Sequence, residues 1–305
     1  MVNLKQRIDA NCPAVLRSFV FMCLAILLVI VFAKPLLAYN YEAVNVTAKV
    51  NVTDSMPEIL SINVDQNIVL VAGGNKTVSC NATIRDWNGY NDLDTVNATF
   101  YYYLNDSDDP DDRNVHYTNG SCVETGNDGS FLANYTCTFQ VAYFANNGSW
   151  SCNLSVNDTF GFTDSGNNTT AINALYALNV TDTIDYGNLS VTETSDNITA
   201  TITNLGNMDV NVSVLGYGQT EGDGIGLICE YGNNISVENE RFSGYSVPWD
   251  SKIPLDSTNQ DVNITIPQAT EASNPETWDT YWQLYVPPNP FGACTGTIRF
   301  TATVP

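Results

Sequence analysis

Basic residues and histidine are scarce in this chain. It holds 11 Lys and Arg against 33 Asp and Glu, for a net charge of −22, and His116 is its one histidine. Because an acidic surface repels phosphate groups and anionic headgroups, nucleic acid is excluded as a partner class and cations are favoured as ligands. A serine or cysteine triad would have to use His116, and no nucleophile motif lies near it. We therefore expect a protein that is not an enzyme, although paired carboxylates of glycosidase type stay open.

Long hydrophobic runs are also scarce, and the one long apolar run, Phe19–Phe32, follows a basic N-terminus. As a helix it would span about 21 Å, which is less than the roughly 30 Å of a bilayer core. The basic start, the short apolar core and the small residues at Ala33 and Ala38 are typical of a secretory signal peptide. If it is not cut, residues 34–38 would extend the helix into a membrane anchor. We predict that residues 1–38 are a signal peptide or signal anchor and that the rest is exported.

The eight cysteines fall into two groups, two in the N-terminal segment and six after it. An even number in an exported chain is typical of disulfides, whereas a metal site is disfavoured because no C-x-x-C occurs. Cys122 and Cys137 flank the turn-rich sequence E-T-G-N-D-G-S and are predicted to pair across a hairpin. The other predicted pairs are Cys80 with Cys152 and Cys229 with Cys294.

The sequon N-x-S/T occurs nineteen times. In an exported chain this frequency predicts a heavily N-glycosylated surface. Strand alternation produces the same triplet, so mere patterning stays open as the alternative. The predicted glycosylation positions are Asn45, Asn51, Asn81, Asn97, Asn134, Asn153, Asn197, Asn211 and Asn263.

Period-two alternation dominates the chain after residue 38. The sequence A-V-N-V-T-A-K-V-N-V-T over Ala43–Thr53 places apolar side chains on one face and polar ones on the other, which predicts a strand. The phrase N-V-T-D at residues 51–54 returns at residues 179–182, and each copy precedes an apolar run. No later stretch has convincing helical periodicity, although Thr270–Trp278 has room for one turn. The pattern predicts an all-β protein of two modules, each with seven or eight short strands.

The predicted organisation has four parts. A signal peptide or anchor over 1–38 precedes an N-terminal strand and linker over 39–56. Two tandem β-sandwiches follow, over 57–182 and 183–305.

Several motifs resemble known modules. Trp150 stands two residues before Cys152 in G-S-W-S-C, which resembles the immunoglobulin-like arrangement of an inter-sheet disulfide with an aromatic corner residue. Trp87 follows Cys80 too closely to match the core tryptophan of antibody domains. The sequence N-D-T-F-G-F-T-D resembles PKD-type modules of prokaryotic surface proteins, and T-N-L-G-N-M-D-V-N-V-S-V resembles CARDB-like and NEW3-like adhesive modules. The resemblance implies an immunoglobulin-like architecture and no particular activity. The abundance of sequons favours an archaeal surface protein.

One loop concentrates oxygen donors. Within residues 86–94 the predicted Ca²⁺ ligands are Asp86, Asn88, Asp92 and Asp94, with help from Asp158 or Asp164. The spacing is not that of an EF-hand, and an Asx-rich turn explains the same residues without a metal.

Three other groups of residues invite a functional interpretation. Asp54, Asp182 and Asp185 lie at the predicted module joints, where calcium would stiffen the linkage, as in cadherin-like arrays. The acidic stretch 105–113 is interpreted as a solvated loop. A cluster of aromatic residues in the second module suits either a sugar-stacking platform or sheet packing. Its members are Trp249, Trp278, Tyr281, Trp282 and Tyr285.

These observations favour a non-catalytic surface protein with a structural or adhesive role. Its expected partners are surface-layer or cell-surface proteins or glycans, with self-association possible. One alternative is a filament subunit that donates the strand 43–53 to a neighbour. Another alternative is a carbohydrate-binding module.

Overall fold

The structure is a computed structural model that describes residues 22–23, 44–271 and 273–305. Of the predicted signal segment only Met22 and Cys23 are described, and they are helical, so the signal prediction falls outside the described residues. Among the residues that are described, no helix is long and apolar enough to cross a membrane. The chain divides into two compact units between Val52 and Thr53, and every strand of the described residues lies in the second unit.

The protein is all-β, as the alternation predicted. The strands of the first half are β1 Glu58–Val64, β2 Asn75–Arg85, β3 Leu93–Tyr102, β4 His116–Asn119, β5 Val123–Asn127, β6 Leu132–Ala142, β7 Gly148–Asp158 and β8 Thr163–Ile172. Those of the second half are β9 Leu178–Val180, β10 Ile198–Asn204, β11 Val210–Tyr217, β12 Ile225–Tyr231, β13 Ile235–Ser236, β14 Glu240–Ser243, β15 Ile253–Pro254, β16 Gln260–Ile266, β17 Thr277–Leu284, β18 Phe291–Thr295 and β19 Thr297–Thr303. The only helical elements within residues 44–271 and 273–305 are three one-turn 3₁₀ helices at Tyr90–Asp92, Val237–Asn239 and Trp249–Ser251.

The first sandwich consists of two antiparallel four-stranded sheets, in the orders β1-β2-β6-β5 and β4-β3-β7-β8. Alternate residues of β2 and β7 point into one core, where Ile84, Phe100 and Trp150 are fully buried. Trp150 stacks on Phe100 with ring centroids 4.8 Å apart. The Cys80–Cys152 disulfide joins β2 of one sheet to β7 of the other. This inter-sheet bond is the feature on which the immunoglobulin-like resemblance rested.

The other two disulfides join neighbouring segments. Cys122–Cys137 connects the residue before β5 to β6, across the hairpin expected from the sequence. Cys229–Cys294 connects directly paired residues of β12 and β18. All three pairs are those predicted from the sequence.

The second sandwich encloses its own core between a five-stranded sheet, β15-β14-β17-β10-β9, and a three-stranded sheet, β16-β11-β19. Val212, Phe242 and Trp282 are fully buried there. A third small sheet, β13-β12-β18, carries the Cys229–Cys294 bond.

The two sandwiches meet through a buried polar junction. Asn207 is fully buried, and its side-chain amide donates to the carbonyl oxygens of Ala145 and Asn173 at 3.0 and 3.1 Å. Its Oδ1 accepts from the backbone N–H of Leu175 at 2.7 Å. A Cβ on the preceding Gly206 would lie 2.0 Å from the carbonyl oxygen of Leu175, so only glycine fits this close approach. The N-L-G-N sequence therefore holds the two sandwiches together within the unit Thr53–Pro305.

Several predicted elements differ in the structure. Ala43 is not described, and residues 44–57 form no strand, because no strand among the described residues supplies ladder hydrogen bonds to this segment. The strand pattern of the sequence also predicts strands at Ile68–Ala72 and Leu189–Thr192. Residues 68–72 contribute only an isolated bridge at Ile68, and residues 191–192 lie in a turn. The described residues of Thr270–Trp278 contain no helical turn. Strands β4, β5, β15 and β18 and most of β8 were missed, because their short or polar sequences lack clear alternation.

Candidate cation site

The site begins at the end of β2, where Asp86 is fully buried. Its Oδ1 accepts a hydrogen bond from the backbone N–H of Asn88 at 2.7 Å, which forms the Asx turn that the sequence suggested. Gly89 follows with φ of 124°, a conformation that favours glycine and turns the chain toward Asp92. The other carboxylate oxygen of Asp86, Oδ2, is buried and has no hydrogen-bond donor in the protein.

Two further aspartates are held by the ends of β3 and β7. Asp92 immediately precedes β3, and its Oδ1 accepts from the hydroxyl of Thr159. Asp158 is the last residue of β7, and its Oδ1 accepts from the backbone N–H groups of Phe160 and Phe162 at 2.9 and 2.8 Å. Each therefore has one oxygen fixed by the fold. In both residues the second oxygen, Oδ2, is buried without a donor.

The fourth aspartate comes from the segment before β1. Both carboxylate oxygens of Asp54 are shielded from solvent and have no donor. The next residue is fastened to the β2–β3 loop, since the backbone N–H and the hydroxyl of Ser55 both donate to Asn88 Oδ1, at 2.8 and 2.7 Å. The aspartate site is defined as Asp54, Asp86, Asp92 and Asp158.

The geometry suits a calcium ion. Carboxylate oxygens of Asp54, Asp92 and Asp158 all lie within 4.8 Å of one another. Oxygens on opposite sides of Ca²⁺ are about 4.8 Å apart at Ca–O distances of 2.3–2.6 Å. Buried carboxylate oxygens without donors are costly, whereas a divalent cation at their centre would satisfy them all. The donor set consists of hard oxygens, which Ca²⁺ prefers to softer ligands.

The like charges perturb one another. Burial raises the pKa of Asp54 above its usual value, and the negative charges of Asp92, Asp158 and Asp86 raise it further. Burial also raises the pKa of Asp86. The negative charges of Asp92 and Asp158 raise it further, whereas the hydrogen bond from the backbone N–H of Asn88 lowers it. Folding thus places carboxylates where their charged forms are disfavoured unless a cation compensates them.

The sequence found half of this site. Of the predicted ligands, Asp86 and Asp92 belong to it, and Asp158 was named as a helper. Asn88 instead positions Ser55, and Asp94 is exposed on β3 outside the group. Asp164 accepts from the backbone N–H of Ile59 at 2.8 Å and does not belong to the group either.

Of the three aspartates that were predicted to bind calcium at the module joints, only one belongs to the aspartate site. Asp54 joins the aspartate site, whereas Asp182 and Asp185 are exposed. The repeated N-V-T-D phrase was a signal for Asp54, but it pointed equally to Asp182, whose surroundings differ.

The remaining candidate groups have structural explanations. His116 is buried, with Nδ1 3.2 Å from Asp111 Oδ1 and Nε2 3.2 Å from the carbonyl oxygen of Ser107. Trp282 is fully buried and its indole N–H donates to Thr280 at 2.9 Å, so it belongs to the core. The indole N–H of Trp278 donates a hydrogen bond to the carbonyl oxygen of Gly244 at 2.8 Å. The aromatic cluster therefore does not form one open platform.

All nineteen sequon asparagines are described, and none of them is buried. Six of the nine predicted glycosylation positions are exposed and three are half-buried. The exposed ones are Asn45, Asn51, Asn81, Asn134, Asn197 and Asn263, and the half-buried ones are Asn97, Asn153 and Asn211. Their exposure is compatible with glycans, and attachment itself stays a prediction.

No family model and no curated protein matches the chain. The solved structures that are similar to it include the CsuC–CsuE chaperone–tip adhesion subunit pre-assembly complex from archaic chaperone-usher Csu pili of Acinetobacter baumannii. The matched chain of that complex is 12% identical to this one, with a TM-score of 0.36, and the match covers 79% of this chain and 99% of the matched chain. Carbohydrate-binding modules from the β-sandwich superfamily have 11% identity and a TM-score of 0.25, over 82% of this chain and 97% of theirs. The C-terminal domain of the Streptococcus pyogenes antigen I/II-family protein AspA has 9% identity and a TM-score of 0.24, over 81% and 95%.

Proposed function

We propose that the chain is an exported, non-catalytic structural or adhesive protein of the cell surface, in which a bound Ca²⁺ completes the first sandwich. The observation that carries the calcium part is the aspartate site, where the carboxylates of Asp54, Asp92 and Asp158 converge and contribute four buried, donor-free oxygens. The buried, donor-free Oδ2 of Asp86 adds a fifth oxygen on a carboxylate that interacts electrostatically with these three. Such a site is a stabilising element, because the ion binds the folded chain and has no comparable site in the unfolded one.

The surface role is supported by the construction of the molecule. Three disulfides staple it, which suits an oxidising compartment, and a buried junction holds the sandwiches together. Its acidic surface carries nineteen accessible sequons, and its expected partners are other surface proteins or glycans. An archaeal source and an immunoglobulin-like ancestry belong to the same proposal.

Labelling of intact native cells with a membrane-impermeant reagent, followed by thiol counting and intact-mass measurement, tests the surface role. The proposal predicts a labelled protein with three disulfides and added glycan mass. An unlabelled protein with six free thiols would overturn it.

A second candidate function has its own observation. Residues 44–52 form no strand, and Val44, Val46, Val50 and Val52 are 79–86% exposed. An unpaired alternating segment suits addition to the sheet of a neighbouring subunit, as in a filament. Deletion of residues 44–52, which leaves Asp54 in place, should then abolish polymers but retain the folded monomer. Polymers that survive the deletion would exclude this function.

A further inference from the structure

Strand β19 is an incompletely covered edge of the second sandwich. It pairs with β11 on one side and with no strand on the other within the described part of the chain. Its core-facing residues Ile298, Phe300 and Ala302 are only partly buried, whereas Val212 and Val214, opposite Ala302 and Phe300 on β11, are fully buried. The three-stranded sheet is therefore narrower than the five-stranded sheet that it faces, and β19 is a free edge at which a further strand can pair.

A groove runs along this edge. A cavity of about 970 Å³ lies between β18–β19 and the irregular segment Asp182–Leu189. Ile184 of that segment and Ile298 and Phe300 of β19 are among its apolar lining residues. Within the described residues, no backbone–backbone hydrogen bond involves Asp182–Leu189. The groove thus has unpaired backbone groups along both margins, which is the arrangement that an inserted strand would satisfy.

The chain itself contains a segment that matches this groove. Residues 44–52 have apolar side chains at every second position and polar ones between them. Their nine residues are enough to pair along the seven of β19. The segment carries Lys49 and no acidic residue, whereas the groove is lined by Asp182 and Asp185, so the charges are complementary.

We propose that the groove beside β19 accepts residues 44–52 of a second copy of this chain as an added strand. The inference rests on the strand-donation function and names its acceptor. In the added strand the valines would cover Ile298 and Phe300, while the polar face with Asn45 and Asn51 would point outward, where glycans do not obstruct pairing.

The test uses the full exported chain with Val46→Asp and Val50→Asp, which disables its own donor segment and leaves the groove free. A synthetic peptide of residues 43–53 is added, and amide hydrogen exchange is followed over the whole chain. We expect slower exchange at 297–303 and at 182–189. A peptide with Val46→Asp and Val50→Asp should bind more than about tenfold more weakly, because it loses two buried apolar side chains. A peptide with Asn45→Asp and Asn51→Asp gains the same charge on the outward face and should bind at least five times as tightly as the valine-substituted peptide.

The possible results distinguish an error in the choice of β19 as the acceptor edge from an error in the strand-donation function. Peptide binding that protects another strand edge, such as that of β5 or β4, would overturn the assignment of β19 but keep strand donation. Absence of binding, together with a wild-type protein that stays monomeric at all concentrations, would overturn both. Wild-type protein that protects 297–303 independently of concentration would place the strand within one copy and overturn exchange between copies.

Discussion

Asn88 Oδ1 accepts two hydrogen bonds from Ser55, one from its backbone N–H at 2.8 Å and one from its hydroxyl at 2.7 Å. This pair joins the β2–β3 loop to the segment that precedes β1. It sets the position of Asp54, the one member of the aspartate site that lies outside the sheets and their connecting loops. Asn88 would therefore act on a bound cation through Ser55, although the sequence suggested it as a ligand.

Substitution Asn88→Ala should weaken Ca²⁺ binding without removing any carboxylate. Loss of the two hydrogen bonds, each worth about 1 kcal/mol, frees Ser55 and Asp54, so the affinity should fall roughly fivefold if half of that free energy is coupled to the ion and about thirtyfold if all of it is. Calorimetric titration of the metal-free protein measures this change. Asn91→Ala removes an exposed amide of the same loop and should leave the affinity unchanged; an equal loss in both variants would contradict the positioning role.

Removal of one charge from the aspartate site should have opposite effects with and without calcium. In Asp158→Asn the oxygen that accepts from Phe160 and Phe162 is retained, while one of four like charges disappears. The metal-free variant should be as stable as the wild type or more stable, because repulsion falls. Saturating Ca²⁺ should stabilise the wild type by about 3 kcal/mol at 100 times its Kd, and the variant much less.

Thermal unfolding with calcium and with chelator measures this difference. For a chain of this size about 3 kcal/mol corresponds to roughly 5–10 °C in Tm. Asp94→Asn removes an exposed carboxylate nearby and serves as the control, with the full wild-type response to calcium expected. The same calcium response in Asp158→Asn and wild type would contradict the site.

The metal-free protein should become more stable as the pH falls from neutral toward 5. Asp54 and Asp86 have raised pKa values, so the folded state binds protons more readily than the unfolded state, whose aspartates have the usual pKa near 3.8. Their stabilising protonation is lost as the pH rises through the raised values. Urea unfolding in chelator at pH 5 and 7, with Asp54→Asn plus Asp86→Asn as the comparison, tests this sign. A pH slope that is the same in the double variant would refute the assignment.

Glu240 should add a separate pH dependence in the second sandwich. It is buried, its Oε1 accepts from the Tyr186 hydroxyl at 3.2 Å, and Oε2 has no donor. Burial raises its pKa from 4.5 to about 7. A shift of that size corresponds to about 3 kcal/mol of stability, present below pH 4.5 and lost as the pH rises to about 7.

Substitution Glu240→Gln should remove that loss, so that the variant exceeds the wild type in stability at pH 8 but not at pH 4.5. Urea unfolding at both pH values, at one fixed calcium concentration, gives the comparison. Glu238→Gln alters an exposed neighbour and should retain the wild-type decline. An identical decline in Glu240→Gln would show that Glu240 is not the titrating group.

The sequence predicted those features that depend on local pattern. Alternation located the long strands β2, β6 and β7, and the spacing around Cys122 and Cys137 indicated their hairpin. Alternation also predicted a strand at residues 43–53, but residues 44–53 form none. An alternating sequence shows only that a segment is able to form a strand, and a strand forms only where a second strand is available to pair with it. Only two of the four aspartates of the site were predicted as ligands, for a similar reason. Asp86 and Asp92 share one loop, whereas Asp54 and Asp158 reach them only through the packing of β1 and β7.

The most direct test of the calcium site is the diffraction of a crystal of the protein grown with Ca²⁺, recorded at a long wavelength where calcium scatters anomalously. We predict one anomalous peak between Asp54, Asp92 and Asp158, with Ca–O distances of about 2.3–2.6 Å and Asp86 bound directly or through water. Well-ordered density for the same carboxylates with no peak between them at saturating Ca²⁺ would contradict it.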